Sequence, residues 1–281
     1  MSSQVAVVTD STAYLPADVV ARHHITVVPV SVVVDGVAFD EGVDIAAIDV
    51  ADALRRRARV TTSRPSPERF LRVYQAAAAS GATHVVSAHL SADMSGTYDS
   101  AVLAARESPV PVTVLDTRSV GMAMGFAIVA GCETAERGSG AEVTAAAIMS
   151  RVSSSSALFY VDTLDYLRRG GRIGAAQAMV GQALSVKPIL ELIDGRVVPL
   201  EKVRTSAKAL ARLTELAVAR AGARACDVAV QHLDAAQRAQ ELAGLLAAAM
   251  SDATISVSEV GAVVGAHVGP GMVAVGISPR G

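Results

Sequence analysis

The sequence predicts an α/β protein with two α/β domains, and three features of the chain support this. Its 281 residues exceed the usual size of one domain and suit two domains of about 130 to 150 residues. Hydrophobic residues make up 51% of the chain and aromatic residues only 3%, so small aliphatic side chains must pack the interior, as in α/β layers. Short β-branched runs also alternate with helical patterns, which is the rhythm of βαβ units.

Charge and composition exclude several classes of function. The chain has 25 Lys and Arg residues against 27 Asp and Glu residues and no basic stripe with interleaved aromatics, so no nucleic-acid partner is expected. No apolar run approaches the roughly 20 residues of a transmembrane helix, so we expect no membrane insertion, although transient contact with a membrane surface is compatible with the sequence. Cys132 and Cys226 form no disulfide framework, and the first residues do not resemble a signal peptide, which indicates a cytoplasmic protein.

Residues 1–153 are predicted to form an N-terminal domain whose mainly parallel sheet is flanked by helices. An apolar run at residues 5–8 ends in Thr9-Asp10-Ser11-Thr12, a polar group expected where a parallel strand reaches the edge of a sheet. Asp35-Gly36 predicts a turn between two strands. The expected strands cover residues 5–8, 25–34, 37–39, 84–87 and 112–116, and the expected helices cover residues 16–20, 44–58, 67–79, 120–137 and 142–152.

Four consecutive serines at 153–156 mark the predicted domain boundary, so residues 154–281 form the C-terminal domain, with a mixed sheet and helices. Asp194-Gly195 between two apolar runs is the strongest hairpin signal in the chain. Residues 261–271 are interpreted as a glycine-rich loop. The expected strands cover residues 157–161, 186–193, 196–203, 228–230, 254–260 and 272–277, and the expected helices cover residues 175–184, 206–221 and 235–250.

The first candidate binding group is Ser95-Gly96, which follows a strand pattern and precedes a helix. Gly96 lets the backbone approach a ligand closely, and the amides at a helix N-terminus attract an anion. Serine is also a common helix N-cap. By itself this pair therefore predicts either a cap or an anion site.

Two further candidates are the hydroxyls of Thr61-Thr62-Ser63 and the imidazole of His267. The hydroxyls precede two prolines on what reads as a rigid loop, which suits binding, and a hydrogen-bonded turn is the alternative. His267 lies in the glycine-rich loop, where an imidazole can donate to a carboxylate or phosphate near neutral pH. A structural histidine is the alternative, and His84 and His89 are rivals for the binding role.

Three functional classes fit these groups. A serine hydrolase acting on an acyl ester would use Ser95 with His267 and an aspartate. Neither the Gly-x-Ser-x-Gly elbow nor a Walker loop occurs around these residues, so hydrolases and NTPases lack their specific motifs. A binder of phosphosugars or nucleotides and a binder of some other anion remain. No His or Cys pair has the spacing of a zinc site, so neither a metal nor a cofactor is expected.

The order of the motifs is more specific than any single motif, and it resembles the DegV family. The stretches that carry the resemblance span essentially the whole chain. They are Val8-Thr9-Asp10-Ser11-Thr12, Thr62-Ser63-Arg64-Pro65-Ser66-Pro67, residues 90–101 with Ser95-Gly96-Thr97-Tyr98, residues 162–173 with Gly170-Gly171-Arg172, Lys187-Pro188-Ile189-Leu190, Asp194-Gly195, Lys202-Val203-Arg204-Thr205 and His267-Val268-Gly269-Pro270-Gly271.

The resemblance implies a lipid-binding protein that is not itself a catalyst. A long-chain fatty acid would lie between the two domains and be presented to the ATP-binding subunit of a fatty acid kinase, which makes an acyl phosphate. Carried across residue by residue, the carboxylate contacts are Thr62, Ser95 and His267, with the Gly96 amide as a fourth donor. Further pocket or head-group contacts are expected from Ser63, Met94, Thr97 and Arg172.

The resemblance also implies a docking surface for the kinase subunit, which we place at the basic residues Arg168, Lys202 and Arg204. The sequence departs from the family pattern at two positions. Arg64 stands where the family often has Gln, which changes the charge at the pocket mouth. Met94 stands where it often has Leu, which changes only the lining.

Overall fold

The computed structural model describes residues 4–179 and 186–280. Part of the helix predicted at 175–184 lies outside these residues, and Gly174–Met179 forms a 3-10 turn. The strands are β1 (Val5–Asp10), β2 (Thr26–Val28), β3 (Ser31–Val34), β4 (Val37–Asp40), β5 (Val60–Ser63), β6 (His84–His89), β7 (Val112–Asp116), β8 (Ser156–Tyr160), β9 (Lys187–Ile193), β10 (Arg196–Val203), β11 (Cys226–His232), β12 (Ala253–Glu259) and β13 (Val273–Pro279). The helices are α1 (Ala17–Arg22), α2 (Ala47–Arg55), α3 (Pro67–Ala79), α4 (Thr97–Ala105), α5 (Met122–Glu136), α6 (Ala141–Ser154), α7 (Asp165–Arg169), α8 (Ser206–Ala221), α9 (Ala236–Ala249) and α10 (Ala262–Val268).

The chain forms two compact units that differ from the predicted domains in one segment. Unit 1 comprises Met1–Ser31 and Ser63–Ser153, and unit 2 comprises Val32–Thr62 and Ser154–Gly281. Ser153, the last residue of the predicted N-terminal domain, is also the last residue of unit 1. The segment Val32–Thr62, however, groups with the C-terminal part of the chain, because its helix α2 packs on α10. This segment contains most of a three-stranded sheet in the order β4-β3-β5.

Unit 1 is built on a four-stranded parallel sheet in the order β2-β1-β6-β7. Alternate residues of a strand face opposite sides of a sheet, so Val7 and Val8 of β1 enter different cores. Val7 packs with apolar residues of α5 and α6. Val8 packs with Phe70 and Tyr74 of α3 and with alanines of α4. Helices therefore cover both faces of the sheet, and the predicted α/β class is confirmed.

Unit 2 contains a six-stranded mixed sheet in the order β10-β9-β8-β13-β11-β12. Only β11 and β12 run parallel within this sheet, and the other neighbours are antiparallel. The helices α8 and α9 bury their apolar faces on it. Helix α8 has the bounds predicted from the sequence, and it begins where the Thr205 side chain accepts a hydrogen bond of 3.2 Å from the Lys208 amide.

Three local predictions were wrong. The run at 25–34 is two strands, because Pro29 offers no amide to a ladder and the Val30 amide instead donates to Ser11 Oγ at 3.1 Å. Thr61–Ser63 belong to strand β5 rather than to a loop, since they join the sheet of β3 and β4. Residues 262–268 form a helix that Gly269, with a φ of 74°, ends.

No helix among the described residues is long and apolar enough to span a membrane.

Candidate functional site

Two of the predicted carboxylate contacts meet in unit 2. Thr62 lies on β5, and His267 lies in the last turn of α10. Their Oγ1 and Nε2 atoms are 2.9 Å apart, which is a hydrogen bond between residues 205 positions apart in the sequence. Both side chains are partly buried. The pair therefore places a hydroxyl and an imidazole at one partly accessible point.

A glycine makes room for the His267 ring. Gly170 ends α7 with a φ of −76°, a conformation that any residue adopts, so glycine is not needed there for the backbone. A Cβ at this position would overlap Nδ1 of His267. The Nδ1 atom is enclosed and has no hydrogen-bond partner in the described part of the chain. Arg172 holds the same turn, since its Nη1 donates to the Gly170 carbonyl at 2.5 Å.

The surroundings fix the charge and the tautomer of His267. Burial, together with the nearby positive charge of Arg172, lowers the pKa of His267 from 6.5 to about 4, so the ring is neutral at neutral pH. A neutral imidazole carries one N–H, and an N–H at the enclosed Nδ1 would have no acceptor, a rarer and costlier situation than an unused lone pair. The proton therefore belongs on Nε2, which donates to Thr62. The hydroxyl proton of Thr62 is then available to donate to a ligand.

The turn after His267 packs closely against residues 162–173, one of the stretches that carry the family resemblance. Gly269 and Gly271 both have positive φ, and a Cβ on them would overlap the Tyr166 ring and the Asp162 carboxylate, respectively. Lys187 Nζ donates to Asp162 Oδ1 at 2.6 Å. Arg238 donates to Asp162 Oδ2 at 3.3 Å and to the Gly271 carbonyl at 3.2 Å. Residues that are distant in the sequence, Asp162, Lys187 and Arg238, thus fix the turn that follows His267.

Ser95 and Gly96 lie in unit 1, at the start of α4. Gly96 is the N-cap residue, and Ser95 precedes it. The Ser95 hydroxyl accepts a 3.3 Å hydrogen bond from the Thr97 amide and lies 2.9 Å from Thr97 Oγ1. Ser95 is therefore not the N-cap residue itself, although its hydroxyl accepts from the first amide of the helix, and it remains partly exposed. The Gly96 amide has no acceptor among the described residues, so it can donate to a bound anion, as the other alternative predicts.

The neighbours of this pair differ in their accessibility. Thr97 is fully buried and its hydroxyl bonds Ser95, so it supports Ser95 rather than a ligand. Met94 is half-buried and Ser63 is exposed. The exposed Arg64 lies directly against Gly96, where a Cβ would overlap its guanidinium. Its guanidinium makes no hydrogen bond or ion pair with the residues that the structure describes, so it adds a positive charge beside the Gly96 amide.

The two rival histidines have structural partners. His89 Nδ1 lies 3.0 Å from Asp10 Oδ2, and its Nε2 lies 2.7 Å from Ser87 Oγ, which also accepts the Tyr74 hydroxyl at 2.9 Å. These four side chains have no exposed surface, so the Asp-His-Ser chain is part of the core, although its residue types are those of a catalytic triad. His84 Nε2 bonds Thr113 Oγ1 on the neighbouring strand at 2.9 Å.

No group of three or more His, Cys, Asp or Glu side chains within residues 4–179 and 186–280 has a metal-binding arrangement.

Comparison with known proteins agrees with the motifs. The family model described as "Uncharacterised protein, DegV family" matches residues 4–280. The chain belongs to the DegV family. A DegV domain-containing protein of Streptomyces coelicolor is 56% identical to it over 281 residues, which is 100% of both chains.

Solved DegV structures share the fold of this DegV chain. The structure of a DegV family protein from Thermus thermophilus, described as fatty acid binding, has a TM-score of 0.94 and 34% identity and covers 99% of this chain and 100% of that chain. DegV from Bacillus subtilis, described as a fatty acid binding protein, has a TM-score of 0.91 and 31% identity at the same coverage. The resemblance inferred from the sequence is thereby confirmed.

The basic residues predicted as a docking surface of this DegV chain all belong to unit 2. Lys202 and Arg204 are exposed at the end of β10 and just beyond it. The Arg204 guanidinium has no partner among the described residues, whereas the charge of Arg168 is offset by Asp165 at 3.3 Å on the same helix. Arg204 is therefore the cation of the three that is most available to a partner.

Sequence reasoning missed two supports of the site, Glu41 and Arg238. Arg238 lies on the amphipathic helix α9, where an arginine gives no signal that distinguishes it from a solvated one. Glu41 accepts a hydrogen bond from the Val263 amide at 2.7 Å, across 222 positions of sequence. Neither contact has a local sequence signal.

Proposed function

We propose that this DegV protein binds a long-chain fatty acid whose carboxylate accepts a hydrogen bond from Thr62. The observation that carries the proposal is the pairing of Thr62 Oγ1 with a neutral His267, because it leaves the Thr62 hydroxyl proton unused. The fatty-acid-binding descriptions of the Thermus thermophilus and Bacillus subtilis proteins support this ligand. His267 acts by fixing the direction of the Thr62 hydroxyl rather than by supplying a cation.

Ser95 and the Gly96 amide are proposed as further donors to the same carboxylate. The Gly96 amide has no acceptor among the described residues, and hydrogen bonds from neutral donors to an anion are stronger than those to a neutral acceptor. Arg64 adds positive charge beside this amide. Ser63 and Met94 are accessible enough to contact a ligand, while Thr97 and Arg172 act through Ser95 and His267.

The acyl chain supplies most of the affinity in this proposal, and the head-group donors supply the orientation. Each buried methylene contributes about 0.8 kcal/mol. A carboxylate taken from water must keep its hydrogen bonds, so the donors chiefly prevent a desolvation penalty. The aliphatic composition of the chain, with only 3% aromatic residues, suits contact with an alkyl chain.

The alternative function is a serine hydrolase acting through Ser95 and His267. Two measurements on the purified protein distinguish it from fatty-acid binding. Native mass spectrometry of the purified protein is expected to show one fatty acid per chain that is lost on denaturation. A fluorophosphonate, which labels activated serines, is expected to leave Ser95 unmodified because the hydroxyl pairs with the amide and hydroxyl of Thr97 rather than with a general base. A covalent adduct that disappears in Ser95→Ala, with no lipid in the native spectrum, would contradict the proposal.

We also propose that the bound fatty acid is presented to the ATP-binding subunit of a fatty acid kinase, with Arg204, Lys202 and Arg168 at the docking surface. The exposed guanidinium of Arg204 supports this, since a charged rim residue steers association. Arg204→Ala is expected to lower acyl phosphate formation at limiting kinase by roughly fivefold. Arg106→Ala removes an exposed arginine from unit 1 and is the control. Undiminished turnover in Arg204→Ala would exclude this docking surface.

A further inference from the structure

A buried carboxylate lies at the opposite end of the helix that carries His267. Glu41 follows β4, and only 6% of its surface is exposed. Its Oε1 accepts a 2.7 Å hydrogen bond from the amide of Val263, the second residue of α10. A buried carboxylate is costly unless it is hydrogen-bonded, so the hydrogen bond from the Val263 amide stabilises Glu41 in this buried position.

Helix α10 depends on an external acceptor at this end. It has only seven residues, a length at which helix formation is unfavourable without outside contacts. Its N-cap is Gly261, which has no side chain to accept a hydrogen bond from the first turn. Glu41 supplies that acceptor, since its Oε1 accepts from one of the first amides of the helix, which have no partner within the helix.

The geometry of the helix links this contact to His267. Val263 and His267 are four residues apart, so they lie on the same side of α10, one turn from each other. Helix α2, which follows Glu41 in the sequence, also packs on α10. Thr62 reaches His267 from β5, in the same sheet as the strand that precedes Glu41. The segment Val32–Thr62 thus holds both ends of α10.

We infer that Glu41 is a positioning residue, which sets α10 so that Nε2 of His267 meets Oγ1 of Thr62. The inference rests on the proposed function for its effect on fatty-acid affinity, but not for its effect on the His267–Thr62 hydrogen bond. Glu41 itself contacts no ligand in this scheme. Its reach to the Val263 amide, rather than its charge, is what matters.

Three substitutions separate reach from charge. Glu41→Gln keeps the length and an accepting oxygen, Glu41→Asp keeps the charge but is shorter by one methylene, and Glu41→Ala removes both. The matched control is Asp49→Ala, which removes a carboxylate of the same segment that caps the Ala46 amide at 2.9 Å at the start of α2. Each folded variant is compared in the ligand-free state by the ¹⁵N chemical shift of His267 Nε2 and then by titration with octadecanoate.

We expect Glu41→Asp to shift the Nε2 signal away from the hydrogen-bonded position and to weaken octadecanoate binding about tenfold. Glu41→Gln and Asp49→Ala should keep the wild-type shift and bind within about threefold of wild type. If Glu41→Ala does not fold, the comparison of Glu41→Asp with Glu41→Gln still tests whether the reach of residue 41 positions His267. An unchanged Nε2 shift in Glu41→Asp, or a Gln variant as impaired as the Asp variant, would overturn the inference. Absence of octadecanoate binding in the wild type, with the shift responding as expected, would instead overturn the proposed function alone.

Discussion

Replacing Thr62 with valine is expected to weaken octadecanoate binding by about tenfold to a hundredfold. Valine has the shape of threonine and suits a strand, so β5 should form normally. The substitution removes the hydroxyl that donates to the carboxylate, and a hydrogen bond to a charged group contributes about 1.5 to 3 kcal/mol. Calorimetric titration of the delipidated protein measures the loss directly.

Thr61→Val is the matched control for this substitution. Thr61 is the preceding residue of the same strand, so its side chain faces the opposite side of the sheet, and it is exposed. Its removal is expected to leave the affinity unchanged. Equal affinities of wild type and Thr62→Val, or equal losses in both variants, would show that the Thr62 hydroxyl does not bind the carboxylate.

The unfolding free energy is expected to fall more steeply with acidification in the wild type than in His267→Gln. Burial, with a contribution from Arg172, holds the pKa of His267 at about 4 in the folded protein, against 6.5 for an unperturbed imidazole. Between these values the unfolded chain binds the proton and the folded chain does not, so stability decreases as the pH falls. The difference between the two proteins should change by roughly 2 to 3 kcal/mol from pH 7 to pH 4.

Urea denaturation of both proteins across this pH range tests the expectation. The comparison with His267→Gln removes the contributions of other titrating groups, which the two proteins share. A constant difference in unfolding free energy would mean that His267 titrates alike in the folded and unfolded states. The lowered pKa of His267, and with it a ring that stays neutral down to about pH 4, would then be wrong.

Local patterns were sufficient for much of the fold. Strand β7 and the helices α3 and α8 have the bounds that the sequence predicts. Both helices begin at residues with a local signal: Pro67 is the first residue of α3, and Thr205 caps α8. The signals for these elements are therefore local, and a single sequence contains them.

The assignment of Val32–Thr62 to unit 2 had no such signal. It depends on contacts such as that of Glu41 with the Val263 amide, which join distant parts of the chain. Helix α10 was missed for a related reason, since Gly265 and the flanking Gly261 and Gly269 favour a loop by propensity, and packing against α2 decides otherwise. Tertiary contacts overrode local preference in both cases.

In the candidate site, too, local signals predicted some features and tertiary contacts determined the others. Ser95 was predicted as either a cap or an anion contact, and the structure shows a hydroxyl that bonds the helix start and stays partly exposed. The meeting of Thr62 with His267 followed only from the family resemblance, because their types and separation alone do not bring them together. Gly170, which ends α7, also gives His267 the room that a larger residue would occupy, and no local pattern indicates this.

The most direct test of carboxylate recognition by Thr62 is a titration of wild type and Thr62→Val with both octadecanoate and methyl octadecanoate. The two ligands share the acyl chain and differ in the anionic head group, as the two proteins share a shape and differ in one hydroxyl. We expect the wild type to bind the acid at least about tenfold more tightly than the ester, and Thr62→Val to lose most of that preference. Equal binding of acid and ester by the wild type would contradict recognition of a carboxylate by Thr62.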